Sequence, residues 1–280
     1  MENFLLDHEG AVRLSLFLGI FAAVALAEIA APRRKLQTSK RHRWITNLGI
    51  VVLNTALLRL IILAAAVEMA HRAETAGWGL FNLVDLPRWL EVLLSIILLD
   101  LVIYLQHVLV HAVPGLWRLH MVHHSDMDYD VTTGARFHPV EIFLSMGIKI
   151  AAVTTLGAPA VAVILFEVLL NGTAMFNHGN LKLPASVDRV LRCFVVTPDM
   201  HRVHHSNIPD ETNSNYGFNL PWWDRLFGTY RAQPTGGHTG MTIGLDEYRD
   251  PSALHLHHLL LLPLTGREGH YPINRRGDDA

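Results

Sequence analysis

The sequence predicts an all-α fold: a polytopic membrane bundle of three spanning helices plus a helical hairpin, carrying a cytoplasmic histidine-rich helical cap. Three observations carry that prediction. Half of the 280 residues are hydrophobic and the mean hydropathy is +0.26, high for a water-soluble chain of this size. The apolar residues are gathered into runs, Val12 to Ala31, Ile45 to Ala70 and Trp89 to Val113, each reaching the roughly 20 residues that a spanning helix needs. Histidines recur at helical spacing: His107 and His111 as HxxxH, His120, His123 and His124 as HxxHH, and His201, His204 and His205 as HxxHH again. At 18 histidines in 280 residues, HxxHH arises by chance on the order of 0.07 times, so two copies are not compositional noise.

The first span, Val12 to Ala31, is stopped by Pro32. The stretch MENFLLDHEG before it is acidic where a signal peptide is basic, so the helix is expected to be retained. Between Arg33 and Arg43 lie six Lys or Arg residues, and such a short basic loop is expected to stay cytoplasmic. Ile45 to Ala70 then returns outward to a connector, His71 to Pro87, with few basic residues, and the third span runs inward from Trp89 to deliver His107 and His111 at its cytoplasmic end. Beyond Pro114 the chain is polar as far as Pro139. Val140 to Phe176 is apolar again but broken at Gly157-Ala158-Pro159. A hairpin there keeps every histidine set on one face of the membrane, whereas one continuous helix would carry His201, His204 and His205 to the other.

From Asn177 onward the chain reads as a polar cap whose aromatic cluster, Tyr216 to Tyr230, lies at the membrane interface. Ser252 to Leu264 is too short to span and is expected to be interfacial, and the last ten residues read as a frayed tail. One membrane-embedded domain, 1–280, accommodates all of this: transmembrane helices in 1–113, a cytoplasmic histidine segment in 114–139, the hairpin in 140–176 and the cap in 177–280. The net charge of −2, with no basic stripe interleaved with aromatics, argues against a nucleic-acid partner. A single cysteine, Cys193, excludes an internal disulfide and is expected to be a small buried residue.

On a helix, residues i, i+3 and i+4 share a face, so HxxHH offers three imidazoles to one point and HxxxH offers two. Imidazole is the commonest nitrogen ligand of transition metals. With His138 and His178 added, ten histidines lie between His107 and His205. At roughly four to six ligands per ion, they suffice for two metal ions. His255, His257 and His258 form HxHH, which does not match one helical face, and are assigned to the surface.

Two apolar helices carry acids in register with these ligands: Asp100, Tyr104, His107 and His111 share one face, and Glu167, Asn171 and His178 follow a comparable row. An acid within a spanning helix needs a partner. Two roles are open to Asp100 and Glu167. They could accept the outer N–H of ligand imidazoles and offset metal charge, or they could bind helix to helix, with Arg59 or Lys149 as partners. Asp199 and Asp224 are further candidates for the first role.

The segments HVLVH, HMVHH, RFHPVE, FNHGN and TPDMHRVHH, followed by ETNSNYGFNLPWWDRLFGTY, resemble in order and spacing the fatty acid hydroxylase and sterol desaturase superfamily, nearer its sterol desaturase branch, over about Leu98 to Tyr230. The resemblance implies a membrane oxidoreductase of monooxygenase type, whose histidine boxes hold two iron ions, with zinc possible by substitution. It implies O₂ as co-substrate and hydroxylation or desaturation at a C–H bond of a sterol, fatty acyl or related lipid. The boxes carried over are His107 with His111, His120 with His123 and His124, and His201 with His204 and His205, with His138 and His178 where the family has further histidines. No haem, flavin or iron–sulfur motif is present, so a separate electron donor of cytochrome b5 or ferredoxin type is implied. Two other classes compete. A zinc-dependent membrane hydrolase is disfavoured because HExxH is absent and so dense a nitrogen shell leaves little room for an open position. A non-catalytic metal-binding or transport membrane protein is disfavoured because the ligands gather at one side instead of lining the spans.

Overall fold

The computed structural model describes residues 2–61 and 66–274. Among them the regular structure is helical, with two isolated β-bridges, Pro32 with Leu181 and Ser206 with Ile243, and no strand. Helix α1, Glu2–Asp7, leads into α2, Glu9–Ala30; α3, Lys40–Ile61, and α4, Ala66–Ala76, stand on either side of residues 62–65, so that part of the second expected span lies outside the described residues. Helix α5, Arg88–Ala112, is followed at once by α6, Pro114–His124. Pro114 sets the break: it occupies the first turn of α6, where its missing N–H costs nothing. Helices α7, Pro139–Leu156, and α8, Ala160–Asn177, complete the membrane part. The stretches Glu9–Ala30, Lys40–Asn82, Arg88–Ala112, Pro139–Leu156 and Ala160–Asn177 are each long and apolar enough to cross a membrane. The protein is a helical membrane bundle.

Helices α7 and α8 leave and return at one end, as expected of a hairpin, but the arms splay around α4 and α5, both of which touch both arms. The turn between them needs glycine. Gly157 ends α7 with φ of 65°, and Gly79 from the preceding connector lies so close that a Cβ on it would stand 2.1 Å from the Gly157 nitrogen. Inside the bundle, Leu99 and Ile103 of α5 pack with Val163, Ile164 and Phe166 of α8 in one apolar column, against which Phe137 and Ile150 also rest.

The cap consists of short helices: α9, Ala185–Leu191; α10, Pro198–His204; α11, Pro209–Thr212; α12, Trp222–Leu226; α13, Gly237–Gly240; and α14, Leu256–Thr265. Thr197 caps α10, its hydroxyl accepting from the Met200 N–H, with Pro198 in the first turn. Helix α14 packs Leu259 and Leu262 against Trp117 and Met121 of α6. The basic loop is bound into this end of the molecule: Arg33 pairs with Asp199, Arg34 donates to the Met241 carbonyl, and the Gln37 and Thr38 N–H groups donate to Asp128.

Two expectations are corrected. Cys193 is exposed, because the chain leaving α9 turns outward at Cys193-Phe194. The tail is anchored at its start: Tyr271 is buried, stacks on Trp117, and its hydroxyl donates to the Asn207 carbonyl. Residues 275–280 lie outside the description.

Candidate metal centre

Nine of the ten predicted histidines converge at the cap end of the bundle, in two adjoining groups: His107, His111, His120, His124 and His204 in one, and His123, His178, His201 and His205 in the other. Within each group one ring nitrogen per residue lies within 4.8 Å of all the others, and all nine residues are buried. The HxxHH sets do not each serve one ion. On α6, His120 and His124 face the first group and His123 the second; at the end of α10, His204 turns to the first group while His201 and His205 turn to the second. The groups touch along a shared edge, where the rings of His124 and His205 stack with centroids 4.6 Å apart.

The hydrogen bonds say which nitrogens point inward. In the first group the Nδ1 atoms of four residues are tied outward: His107 to the Tyr216 carbonyl at 2.7 Å, His204 to the Ser214 carbonyl at 2.7 Å, His111 to Asn213 Oδ1 at 3.2 Å and His120 to Glu141 Oε1 at 2.6 Å. That fixes each Nε2 as the lone-pair nitrogen aimed at the centre. In the second group only His178 is held this way, its Nδ1 2.7 Å from the Ala174 carbonyl. His123, His201 and His205 have no partner at Nδ1, and neither ring nitrogen of His124 has one.

These residues fit metal ions. Buried polar atoms without partners are rare and costly, yet His111 Nε2, His204 Nε2 and both ring nitrogens of His124 and His201 are such atoms, and they cluster. His107 and His120 approach at 3.2 Å between Nε2 atoms, as do His178 with His123 and His178 with His205. Two nitrogens each roughly 2.1 Å from one ion are separated by about that distance. Burial, followed by the neighbouring imidazoles, pushes His123, His124, His201, His204 and His205 well below the ordinary histidine range, and burial takes His178 down to about 3. The ring lone pairs are therefore available for a metal at neutral pH.

The remaining predicted residues lie elsewhere. His138 joins neither group: its Nδ1 accepts from the Val140 N–H at the start of α7, and its Nε2 lies 3.2 Å from the Leu260 carbonyl, because Pro139 fixes it in an extended cap conformation. None of the four candidate acids hydrogen-bonds one of the nine clustered imidazoles. Asp100 accepts from Trp223 Nε1 and the Leu220 N–H. Glu167 pairs with Lys149 and Arg13, so it takes the helix-binding role. Asp199 pairs with Arg33 and Arg202. Asp224 accepts from the N–H groups of Tyr216 and Gly217, and so shapes the backbone whose carbonyl anchors His107. The carboxylate that does meet a clustered imidazole is Glu141, on His120, which the sequence reading missed. It lies one turn into α7, three residues after His138, so RFHPVE does carry a histidine-orienting group, but it is the acid.

Around the two histidine groups the scaffold is polar and fully buried. Arg43 of α3 makes a two-pronged pair with Asp126, at 2.7 Å on each prong, and reaches Asp130 at 2.6 Å. Burial alone would raise the Asp126 carboxyl, but Arg43 holds it down at about 2. Arg136 ties the Val122 carbonyl to Asn47 and Ser125, so the segment leaving α6 is anchored to α3. Gly134 lets this loop close over the second group, since a Cβ there would stand 2.6 Å from the Ala174 carbonyl and 3.0 Å from His178 Nδ1.

A family model described as fatty acid hydroxylase matches residues 92–229, a stretch that contains all nine clustered histidines and Glu141. Over that segment, just under half of its length, the chain is similar to the fatty acid hydroxylase superfamily. Among its curated relatives, the ornithine lipid hydroxylase of Rhizobium tropici is 30% identical over 157 residues, covering 56% of this chain and 46% of that protein. Human alkylglycerol monooxygenase is 27% identical over 199 residues, 67% of this chain and 41% of the relative. Human cholesterol 25-hydroxylase is 26% identical over 144 residues, 51% of this chain and 52% of the relative. The chain thus spans about half of these proteins' lengths or less. No solved structure matches it. Within the matched segment lie α5 beyond its first turn, α6 to α8 and the cap as far as α12, while α2, α3 and α14, which brace the site from outside, fall beyond it.

Proposed function

We propose that the protein is a membrane-bound, O₂-dependent lipid hydroxylase or desaturase whose two histidine groups each hold one iron ion. The observation that carries this reading is the pair of adjoining buried groups, five and four imidazoles, whose unpartnered nitrogens converge at the foot of an apolar bundle. The relatives, by their names, act on ornithine lipids, alkylglycerols and cholesterol, which share long apolar skeletons. Iron, when bound, would supply the redox chemistry that lets O₂ attack an unactivated C–H bond.

The chain's own residues hold and insulate that chemistry. Tyr216, Ser214, Asn213 and Glu141 fix four imidazoles, and the negative charge of Glu141 raises the donor strength of His120. Two phenyl rings each touch both groups: Phe137 lies on His123 and near His120, and Phe218 stands 5.0 Å from His107 and 5.8 Å from His201 between ring centroids. Both belong to the apolar column between α5, α7 and α8, so the face turned to the bundle favours a hydrocarbon and excludes water. For hydroxylation the balance is C–H plus O₂ plus two electrons and two protons, giving C–OH and water. The electrons come from a separate carrier, of cytochrome b5 or ferredoxin type. The histidine end carries the basic loop Arg33 to Arg43, which the positive-inside rule puts in the cytoplasm, so the reading sets the metal centre and the C-terminus there.

Lipid extracts of cells expressing the chain, compared with those expressing His123→Ala, should show a lipid class heavier by one oxygen or lighter by two hydrogens only with the unaltered chain. Identical lipid profiles from cells supplied with iron and a matching electron carrier would contradict the proposal. A reporter fused after Ala280 should report cytoplasmic, and an external signal would reverse the sidedness.

A further inference from the structure

The buried acids that bind no ligand point to a property of the cap. Asp100 lies at the middle of α5, 12 residues from each end of Arg88–Ala112, and so about 18 Å along the helix axis from either terminus. Yet its partners come from the cap: Trp223 Nε1 donates to it at 2.8 Å and the Leu220 N–H at 3.3 Å. One turn nearer the histidines, the Tyr104 hydroxyl meets Thr229 Oγ1 at 2.9 Å and its ring stacks on Phe227 at 5.5 Å. On the other flank Thr173 of α8 donates to Asn219. Residues 218–229 therefore reach the middle level of α5 and lie against the last turns of α8.

The outer face of this segment is apolar. Leu226 is 69% exposed and Phe227 53%, and beside them Phe194 is 64% exposed, joined to α12 by the bond from Trp222 Nε1 to the Cys193 carbonyl. On α5, Leu93, Leu105 and Leu109 are likewise exposed apolar residues, on both sides of the level of Asp100.

We infer that residues 218–229, with Phe194, form a re-entrant segment immersed in the acyl chains of the bilayer, so that the cap is part of the membrane-embedded surface. Irregular backbone survives in a bilayer only when its polar groups are satisfied within the protein. The two acids meet that demand: Asp100 accepts from Leu220, and Asp224 from Tyr216 and Gly217, while the Asp224 carbonyl accepts from the Thr229 and Tyr230 N–H groups. The one cation on α12, Arg225, folds over the Tyr230 ring at 4.2 Å and donates to the Arg192 carbonyl, which carries its charge back toward the polar cap. The inner end of the segment is Phe218, against His107 and His201, so the immersed surface and the metal centre are separated by the thickness of this one segment. This inference does not depend on the metal or on the reaction.

The test places nitroxide labels on the full-length chain in a Cys193→Ser background, reconstituted in nanodiscs of phosphatidylcholine and phosphatidylglycerol. Labels at Leu226→Cys, at the exposed Leu93→Cys of α5 and at Glu247→Cys on the exposed cap are compared for collision with oxygen and with a water-soluble nickel chelate. The oxygen-to-nickel ratio at 226 should match that at 93 and exceed that at 247 several-fold. A ratio like that at 247 would overturn the inference, and so would a label shielded from both reagents, which would mean that a second copy covers the face. Adding Asp100→Ala should shift the ratio at 226 toward that at 247, with Asp100→Asn, which keeps an acceptor oxygen, leaving it in place. A ratio that Asp100→Ala does not move would remove the acid's tethering role.

Discussion

The two histidine groups share α6 and α10, with α5 completing the first and the end of α8 the second, but they are held differently. In the five-residue group the protein orients four imidazoles before any metal arrives, through two backbone carbonyls, an amide and a carboxylate. In the four-residue group only His178 has such an anchor, and three rings present unpartnered nitrogens on both sides or at Nδ1. The contrast separates a preorganised site from one whose geometry depends on the ion. A ligand already oriented loses less freedom on binding, so the first group should bind more tightly and release more slowly.

The largest effects come from removing ligands. His204→Ala in the first group and His123→Ala in the second should each abolish turnover while the protein still reaches the membrane fraction; residual activity in either variant would take that histidine out of the centre. Timed dialysis against a chelator should next divide the groups, with metal lost in two phases and the faster loss matching the content of a His178→Ala protein. A single phase would erase the contrast. Glu141→Gln removes the negative charge beside His120 and should weaken metal binding by roughly 10- to 100-fold, whereas Asp100→Asn should leave metal content unchanged. Equal losses from the two would return Asp100 to the ligand sphere. The smallest effect belongs to His138→Ala, which deletes a helix cap and should cost about 1 kcal/mol of stability in thermal unfolding, with metal content intact.

Much of this arrangement is written in local sequence. Apolar runs of spanning length, Pro114 and the Gly157-Ala158-Pro159 break mark the bundle, and helical spacing marks the clustered histidines. What local sequence does not carry is the choice among distant partners. HxxHH places three imidazoles on one face, but an arc wide enough for two neighbouring ions is also one face, so His123 and His120 part company only when α8 and α10 arrive with His178 and His204. The acids show the same limit. Asp100 shares a face with His107 and His111, yet its partner is Trp223, 123 residues away. Glu141 reads as an ordinary acid in the first turn of an apolar helix until α7 is packed beside α6. His138 shows the converse, since a histidine before proline at a helix start can spend both ring nitrogens on backbone groups.

Metal content per chain tests the central claim most directly. Protein purified from iron-supplemented cells in active form should contain about two iron ions per chain, and His178→Ala protein about one. An active wild-type preparation with a single iron, or with stoichiometric zinc and no iron, would contradict the two-group account.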